Sequence, residues 1–429
     1  MSSAAAPAPG HPPSLRVRVA ALVVWALVLG VIAVHAGWMR APFTFVKYLY
    51  HRNLPPILLF GGGVALFAVV VVTPFGDRRR APLRLVGAAL RWFALLVLFH
   101  DQRHQLGDSN NLLRDPVRRI GSGGWYTYYD ELVGMWLPLR LARLAVEHLG
   151  LEVRTAILSA YRALSWSCGL AFFFVAHRLA NTLPSPRFAM LLLLGAAHSL
   201  QFAGYVENYQ LSSLLLTLGF LLVVERDVKP TPAITLVFAA AVVCHAVSVW
   251  SVLALIYLAA RRGRFMRTAA VHSGIGLGIV AGVAALFALW LTPGVGFAHA
   301  HASSLLDDFG RTLATRSLAE HANQLGRTAA APIVAIVLGL VAAPRAALTQ
   351  LRAPEARFAG LYLGGFLVHQ LLWKSTLGMA SDWDLFGYTW LPLVYLAARV
   401  TPRYLPLELG LAILQAGLGW SWLLAQGGR

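Results

Sequence analysis

The sequence predicts an all-α protein, a polytopic transmembrane helix bundle of about 11–13 spans. Three observations predict it. Hydrophobic residues make up 58 % of the 429 and charged residues only 13 %, with a mean hydropathy of +0.64. A soluble domain carries about a quarter charged residues. Apolar windows also recur at about 17–25 residues, the length that crosses a bilayer. Finally, the basic residues behind the net charge of +18 sit in short connections between those windows. That is the positive-inside pattern of a membrane protein and excludes a basic groove for nucleic acid.

Taken in order, residues 1–16 are rich in Ala and Pro and read as a disordered cytoplasmic tail. Arg16 and Arg18 then precede an apolar stretch to about Val34, longer than a signal-peptide core and followed by more spans, hence an uncleaved signal anchor. With a second span near 55–73 it makes an N-terminal pair of transmembrane helices over 17–83. The main module, 84–400, holds spans near 84–99, 155–176, 188–204, 209–224, 231–244, 247–260, 268–290, 331–343, 357–373 and 385–399. A C-terminal transmembrane helix falls within 401–429. With a cytoplasmic N-terminus, the connections GDRRRAPLR (76–84), HRLANTLPSPR (177–187), RRGRFMR (261–267) and Arg345–Arg357 all lie on the cytoplasmic side. The expected location is therefore multi-pass in a cell membrane, the inner (plasma) membrane of a bacterium. No internal repeat is visible, which weighs against an inverted-repeat transporter.

Two outer connections, 100–154 and 292–327, are longer than a turn. The first begins polar, passes a flexible Gly121-Ser122-Gly123-Gly124, and becomes apolar from Glu131 to Gly150. Arg140, Arg143 and Glu147 share one stripe there at helical spacing, which predicts an amphipathic helix lying in the membrane interface. Lys occurs only at Lys47, Lys229 and Lys374, so Arg supplies nearly all the positive charge, a bias that a GC-rich genome also produces. Cys168 and Cys244 both fall in apolar segments and form neither a disulfide framework nor a zinc site.

The 18 acids are few, and most gather in short motifs on the outer side. A carboxylate near hydrocarbon is costly, so several at one face suggest a site. The run HDQRHQLGDSNNLLRD (100–115) carries Asp101, Asp108 and Asp115. Asp108 is placed to deprotonate an acceptor hydroxyl; alternatively it and Asn110 make the turn hydrogen bonds of a solvated loop. Asp130-Glu131, after Tyr126, Tyr128 and Tyr129, caps the interfacial helix or supplies a catalytic acid. In GYVENY (204–209) the only charge is Glu207, next to Asn208, in a tight connection that Gly, Asn or Pro would normally fill. His245, in CHAVS (244–248), is a helix histidine or a site residue at the same face. In SDWDLF (381–386) Asp382 and Asp384 flank Trp383. In an extended strand both carboxylates point one way and the indole the other. The pair suits a divalent cation (Mg or Mn) or sugar hydroxyls, with Trp383 stacking on a sugar ring. Lys374, Arg114, Arg118 and Arg119 are candidate phosphate partners. No His/Cys cluster of metal-ligand spacing is present.

An apolar span, a long outer loop with carboxylates and an interfacial helix, then many spans with short connections, together resemble the GT-C superfamily of membrane glycosyltransferases. The resemblance covers roughly 84–400, and the set Gly107-Asp108, GYVENY, CHAVS and DWDLF looks like that of uncharacterised bacterial proteins of this type. It implies an inverting transfer at the extracytoplasmic face, from a polyprenyl-phosphate-linked sugar to a glycan, lipid or protein acceptor. The first-loop acid would be the base, Asp108 by position, with Asp130-Glu131 competing because the family's commonest acid pair is adjacent. Two spans precede the acidic loop here, whereas the family usually has one. Asp101, Glu207, Asn208, His245, Lys374, Asp382, Trp383, Asp384 and Arg114 would bind substrate. The rival reading is a multi-pass transporter or lipid-linked-sugar flippase, which calls for ionisable residues at mid-depth; Arg162 is the clearest such charge. A catalytically inert assembly subunit is a third, and would leave the outer carboxylates too far apart to share a ligand.

Overall fold

Lipid offers backbone amides no hydrogen bonds, so a chain this apolar closes them within helices. The computed structural model describes residues 13–35, 66–75, 81–98, 113, 132–261, 265–287, 289, 315–372 and 387–427, and no strand occurs among them. The helices are α1 (Leu15–His35), α2 (Ala81–Leu98), α3 (Leu132–Leu149), α4 (Val153–Asn181), α5 (Pro186–Gly195), α6 (Gln210–Glu225) and α7 (Pro232–Cys244). There follow α8 (Val252–Ala260), α9 (Phe265–Leu286), α10 (Thr315–Ala342), α11 (Pro344–Leu351), α12 (Pro354–Leu372), α13 (Trp390–Val400) and α14 (Leu405–Gly427). Short 3₁₀ turns occupy Ala197–Phe202, Ala246–Ser251 and Gly387–Thr389.

The predicted all-α bundle is what forms. α4 and α9 are each long and apolar enough to cross a membrane, and α5, α6, α7, 246–260, 329–342 and 405–418 are shorter apolar helices. α9 buries only Thr268 and exposes Met266, Val271, Leu277 and Leu286, as a lipid-facing helix does. Two expected spans are broken. The stretch near 188–204 ends its α-helix at Gly195 and continues as 3₁₀ turn, and the one near 247–260 begins as 3₁₀ turn before α8. α10 starts at Thr315, inside the second long outer connection, and is interrupted at Ala329 (φ −145°), three residues before Pro332.

α3 confirms the interfacial amphipathic helix. Leu132, Met135, Leu139 and Ala142 pack on Ala156, Ile157, Ala160 and Tyr161 of α4. Arg140 and Glu147 are exposed on the other side, and Arg143 pairs with Glu147 one turn on. That guanidinium holds the Glu147 carboxyl below its ordinary range. α4 opens on Glu152, whose carboxylate accepts from the amides of Arg154 (3.3 Å) and Thr155 (3.0 Å) and from the Thr155 hydroxyl (2.8 Å). The Thr155 hydroxyl bond is the main reason the Glu152 pKa is lowered.

Following α4 fixes two ends of the bundle. It has 29 residues, about 43 Å at 1.5 Å each. At its far end Arg178 clasps both oxygens of Glu225 (2.8 and 2.7 Å), joining the C-termini of α4 and α6. His177 donates through Nε2 to the Pro74 carbonyl (2.8 Å). Arg399, ending α13, reaches Glu355 (3.5 Å) and Gln350 (3.1 Å). The basic connections 177–187 and 345–357 therefore meet the end of α6 and the start of α12 at one end. The core between the ends is aromatic: Phe220 packs against Phe358 (5.5 Å between centroids), Tyr362 (5.6 Å) and Tyr395 (5.0 Å). Because lipid tails are as apolar as these rings, the gain lies in close packing rather than removal from water.

Single cysteines introduced at exposed His148 or Gly150 and at exposed Arg226 or Arg357 test the two ends. The expected outcome is that an impermeant thiol reagent added outside intact cells labels the first two and leaves the second two unlabelled. Labelling of both sets from outside would refute the topology. The native Cys168 and Cys244 are buried and give little background.

Candidate functional site

GYVENY lies at the end of the bundle opposite the Arg178–Glu225 pair. The chain leaves the 3₁₀ turn Ala197–Phe202 and bends at Gly204, whose φ of +74° a side chain would oppose. Its amide donates to Ser165 Oγ (2.9 Å), which donates in turn to the Gln201 carbonyl (2.7 Å). Every residue from Gln201 to Gln210 is buried. Gln210 Nε2 donates to the Tyr205 carbonyl (2.7 Å), tying the loop to the first turn of α6.

Glu207 is only 1 % exposed and Asn208 2 %. Tyr161 of α4 donates its hydroxyl to Asn208 Oδ1 (2.9 Å). His245 follows the last residue of α7, and its Nδ1 accepts from the Val247 amide (3.2 Å), which puts the ring proton on Nε2. The imidazole lies over Tyr209, ring centroids 4.4 Å apart. Gly134 of α3 closes the group: a Cβ there would stand 2.6 Å from the Cys244 carbonyl oxygen and 2.7 Å from that of Asn208. The structure thus brings the predicted Glu207, Asn208 and His245 together.

Beneath them runs a polar chain. Ser213 Oγ donates to Gln201 Oε1 (3.3 Å) and so accepts from His198 Nε2 (3.0 Å). The His198 ring, fully buried, lies beside Tyr388 (5.1 Å) and Trp390 (5.5 Å). Tyr388 shares a 2.7 Å hydrogen bond with Ser212 and meets the Tyr209 ring at 6.3 Å.

Asp101, Asp108, Arg114, Asp130, Glu131, Lys374, Asp382, Trp383 and Asp384 lie outside the described residues. Their described neighbours converge on GYVENY. Leu113, between Asp108 and Arg114, is buried in a cluster with Tyr161 and Val206. Leu132, next after Glu131, opens the helix whose Gly134 abuts Asn208. Tyr388, four residues after Asp384, bonds Ser212. Among the described residues no three His, Cys, Asp or Glu come together as cation ligands.

Sequence reasoning missed Tyr161, His198, Ser213 and Tyr388. The available signal was weak: polar residues in apolar runs, which are most often satisfied core groups. Arg162, taken as a mid-span charge, is only nine residues into α4, beside Tyr161, at the level of the loop.

No protein-family profile matches the chain, and no curated protein does. Among solved structures, it is similar to ArnT from Cupriavidus metallidurans bound to undecaprenyl phosphate: TM-score 0.51, 14 % identity, 81 % of this chain and 77 % of that one. This chain shares the backbone fold of that protein. The apo state of ArnT aligns with 73 % of this chain and 58 % of its own at 17 % identity and TM-score 0.46. At 14 % identity the likeness to the first is one of backbone course, and the all-α polytopic bundle expected from the sequence is the fold found.

Gly134→Ala should lower the thermal midpoint in detergent, at a cost of about 1–3 kcal/mol for overpacking against two backbones. Gly274→Ala, inside α9 with open space around its Cβ, should leave it unchanged or raise it. Equal midpoints for the two variants would mean that α3 does not seat on the loop.

Proposed function

We propose that the chain is an integral membrane glycosyltransferase that moves a sugar from a polyprenyl-phosphate donor to an acceptor at the extracytoplasmic face. The observation that carries it is the packing of Leu113, Leu132–Gly134 and Tyr388, each adjoining a carboxylate motif, around buried Glu207, Asn208 and His245. A site fed by three distant stretches of chain suits two substrates of different size. The GT-C fold supports the donor class, since ArnT was solved bound to undecaprenyl phosphate.

In the proposed reaction Asp108 takes the proton of the acceptor hydroxyl as that oxygen attacks the anomeric carbon. The bond from that carbon to the phosphate oxygen breaks, and polyprenyl phosphate leaves with the electron pair. A single displacement inverts the anomeric configuration. Arg114 and Lys374 hold the phosphate and offset its growing charge. Asp130 and Glu131 are the alternative base. Asp101, Asp382 and Asp384 take sugar hydroxyls, Trp383 stacks on the ring, and a divalent cation (Mg or Mn), where required, would be held by the Asp382–Asp384 pair. Glu207 and Asn208 orient sugar or acceptor from below, with His245 Nε2 as donor. The enzyme would sit multi-pass in the inner membrane, N-terminus cytoplasmic, with 84–400 as its catalytic module between an N-terminal helix pair and a C-terminal helix.

Asp108→Asn should lower kcat by about 10²–10⁴-fold while the affinity for the lipid-linked sugar stays close to wild type. Radiolabelled sugar transfer and donor binding in nanodiscs read the two separately. Full transfer by Asp108→Asn together with loss in Asp130→Asn or Glu131→Gln would move the base to that pair. Donor carried across the bilayer without transfer would establish the flippase reading instead.

A further inference from the structure

A concavity of about 640 Å³ lies at the opposite, basic end, between the stretch 71–75, the first half of α2 and the start of α5. Arg84, Arg91 and Arg187 line it together with Val71, Val72 and Leu83. Its floor is held by His177, which donates to the Pro74 carbonyl and packs against Phe75, ring centroids 5.2 Å apart. Arg84 and Arg91 are seven residues apart on α2, so they share a face about 10 Å apart along the axis. Gly87 between them presents no side chain, and a Cβ there would stand 3.8 Å from Arg91 Nη1.

All three arginines are exposed, and no described residue lining the concavity is acidic. The surrounding surface is apolar: Leu83, Val86 and Leu90 on α2 and Val71 and Val72 opposite are all more than 40 % exposed. Such a surface faces hydrocarbon. Arg91 therefore stands among lipid-facing side chains, where a guanidinium bends toward the headgroups and seeks an anion. Three guanidinium groups around one opening, with apolar walls, match a phosphate that carries acyl chains. The positive-inside orientation sets this end in the leaflet where anionic lipids meet juxtamembrane Arg.

We propose that this concavity binds the phosphate headgroup of an acidic phospholipid of the cytoplasmic leaflet, with Arg84, Arg91 and Arg187 as its ligands and Leu83, Val71 and Val72 against the acyl chains. The bound lipid would join 66–75 and α2, which follow one another in the chain, to α5, which lies about a hundred residues further on. The site is separate from the proposed transferase centre, and its test does not depend on transfer activity.

The full chain, reconstituted in phosphatidylcholine nanodiscs containing phosphatidylglycerol and then released, is assayed by native mass spectrometry for retained phosphatidylglycerol and by thermal unfolding. Wild type should retain phosphatidylglycerol and unfold at a higher temperature with it than without. Arg84→Gln/Arg91→Gln/Arg187→Gln should lose more than about tenfold in retention and lose the thermal gain. Arg345→Gln/Arg352→Gln/Arg357→Gln, the same charge change at the same end, should keep both. Equal loss in the two triples would reduce the effect to general surface attraction and overturn the proposal. So would displacement of the lipid by inorganic phosphate at equal concentration, which would mark a free-anion site. Should the first triple fail to fold, Arg91→Gln and Arg91→Lys carry the same assay: reduced retention in the Gln variant with partial recovery in the Lys variant supports the site, and wild-type retention in both refutes it.

Discussion

Backbone that leaves the helix inside a bilayer must find its hydrogen bonds within the protein, and this requirement organises the whole upper part of the bundle. Two helix breaks, at 196–209 and 245–251, and the turn at 387–389 lie close together. The two breaks are closed by side chains: Ser165 serves the Gly204 amide, Ser199 lies 2.7 Å from the carbonyls of Leu194 and Ala196, and Gln210 serves Tyr205. His245 accepts from Val247, and Ser251 donates to Ser248 (2.7 Å). Small hydroxyls and amides stand where a continuous helix would have needed none. Gly134 then lets α3 seal the breaks from above. A bundle could bury the same aromatics with unbroken helices, so the breaks are read best as making room for a polar site.

The opposite end is built on other terms. Its helices run to their caps, and its charges meet in pairs, Arg178–Glu225 open to solvent and Arg399–Glu355 largely covered. An exposed pair such as the first contributes on the order of 0–1 kcal/mol and fixes geometry more than stability. Polarity is thus divided: buried and hydrogen-bonded around the loop, charged and solvated at the basic end. The buried polar cluster occurs at one end only among the described residues, which suits the one-sided transfer proposed above.

Much of this division was legible in the chain. Span positions followed from apolar windows, and their polarity from Arg-rich connections that the structure gathers at one end. Glu207 and His245 were legible because a charge or an imidazole in a tight apolar connection needs a reason. Tyr161, His198 and Tyr388 were not, because a polar residue inside a span looks the same whether it fills the core or lines a site. Their roles depend on which helices touch, and contacts such as Tyr161 with Asn208 join residues 47 positions apart. Arg162 is a related case: hydropathy sets it in the first third of a span, and only the contact of its neighbour Tyr161 with Asn208 shows that its level is that of the buried loop.

The burial of Glu207 also bears on which carboxylate would act in the proposed transfer. At 1 % exposure, in a loop whose next residue, Asn208, abuts Gly134 of α3, it sits where a fixed orienting group belongs. A general base must instead meet the hydroxyl of an incoming acceptor within about 3 Å and return its proton to solvent. That role fits a carboxylate in the polar first half of the outer loop, where Leu113 is buried in a cluster with Val206. The buried loop would then hold the sugar still while the outer loop brings the base. Under this division, loss of Glu207 weakens binding and loss of the outer acid removes the chemistry.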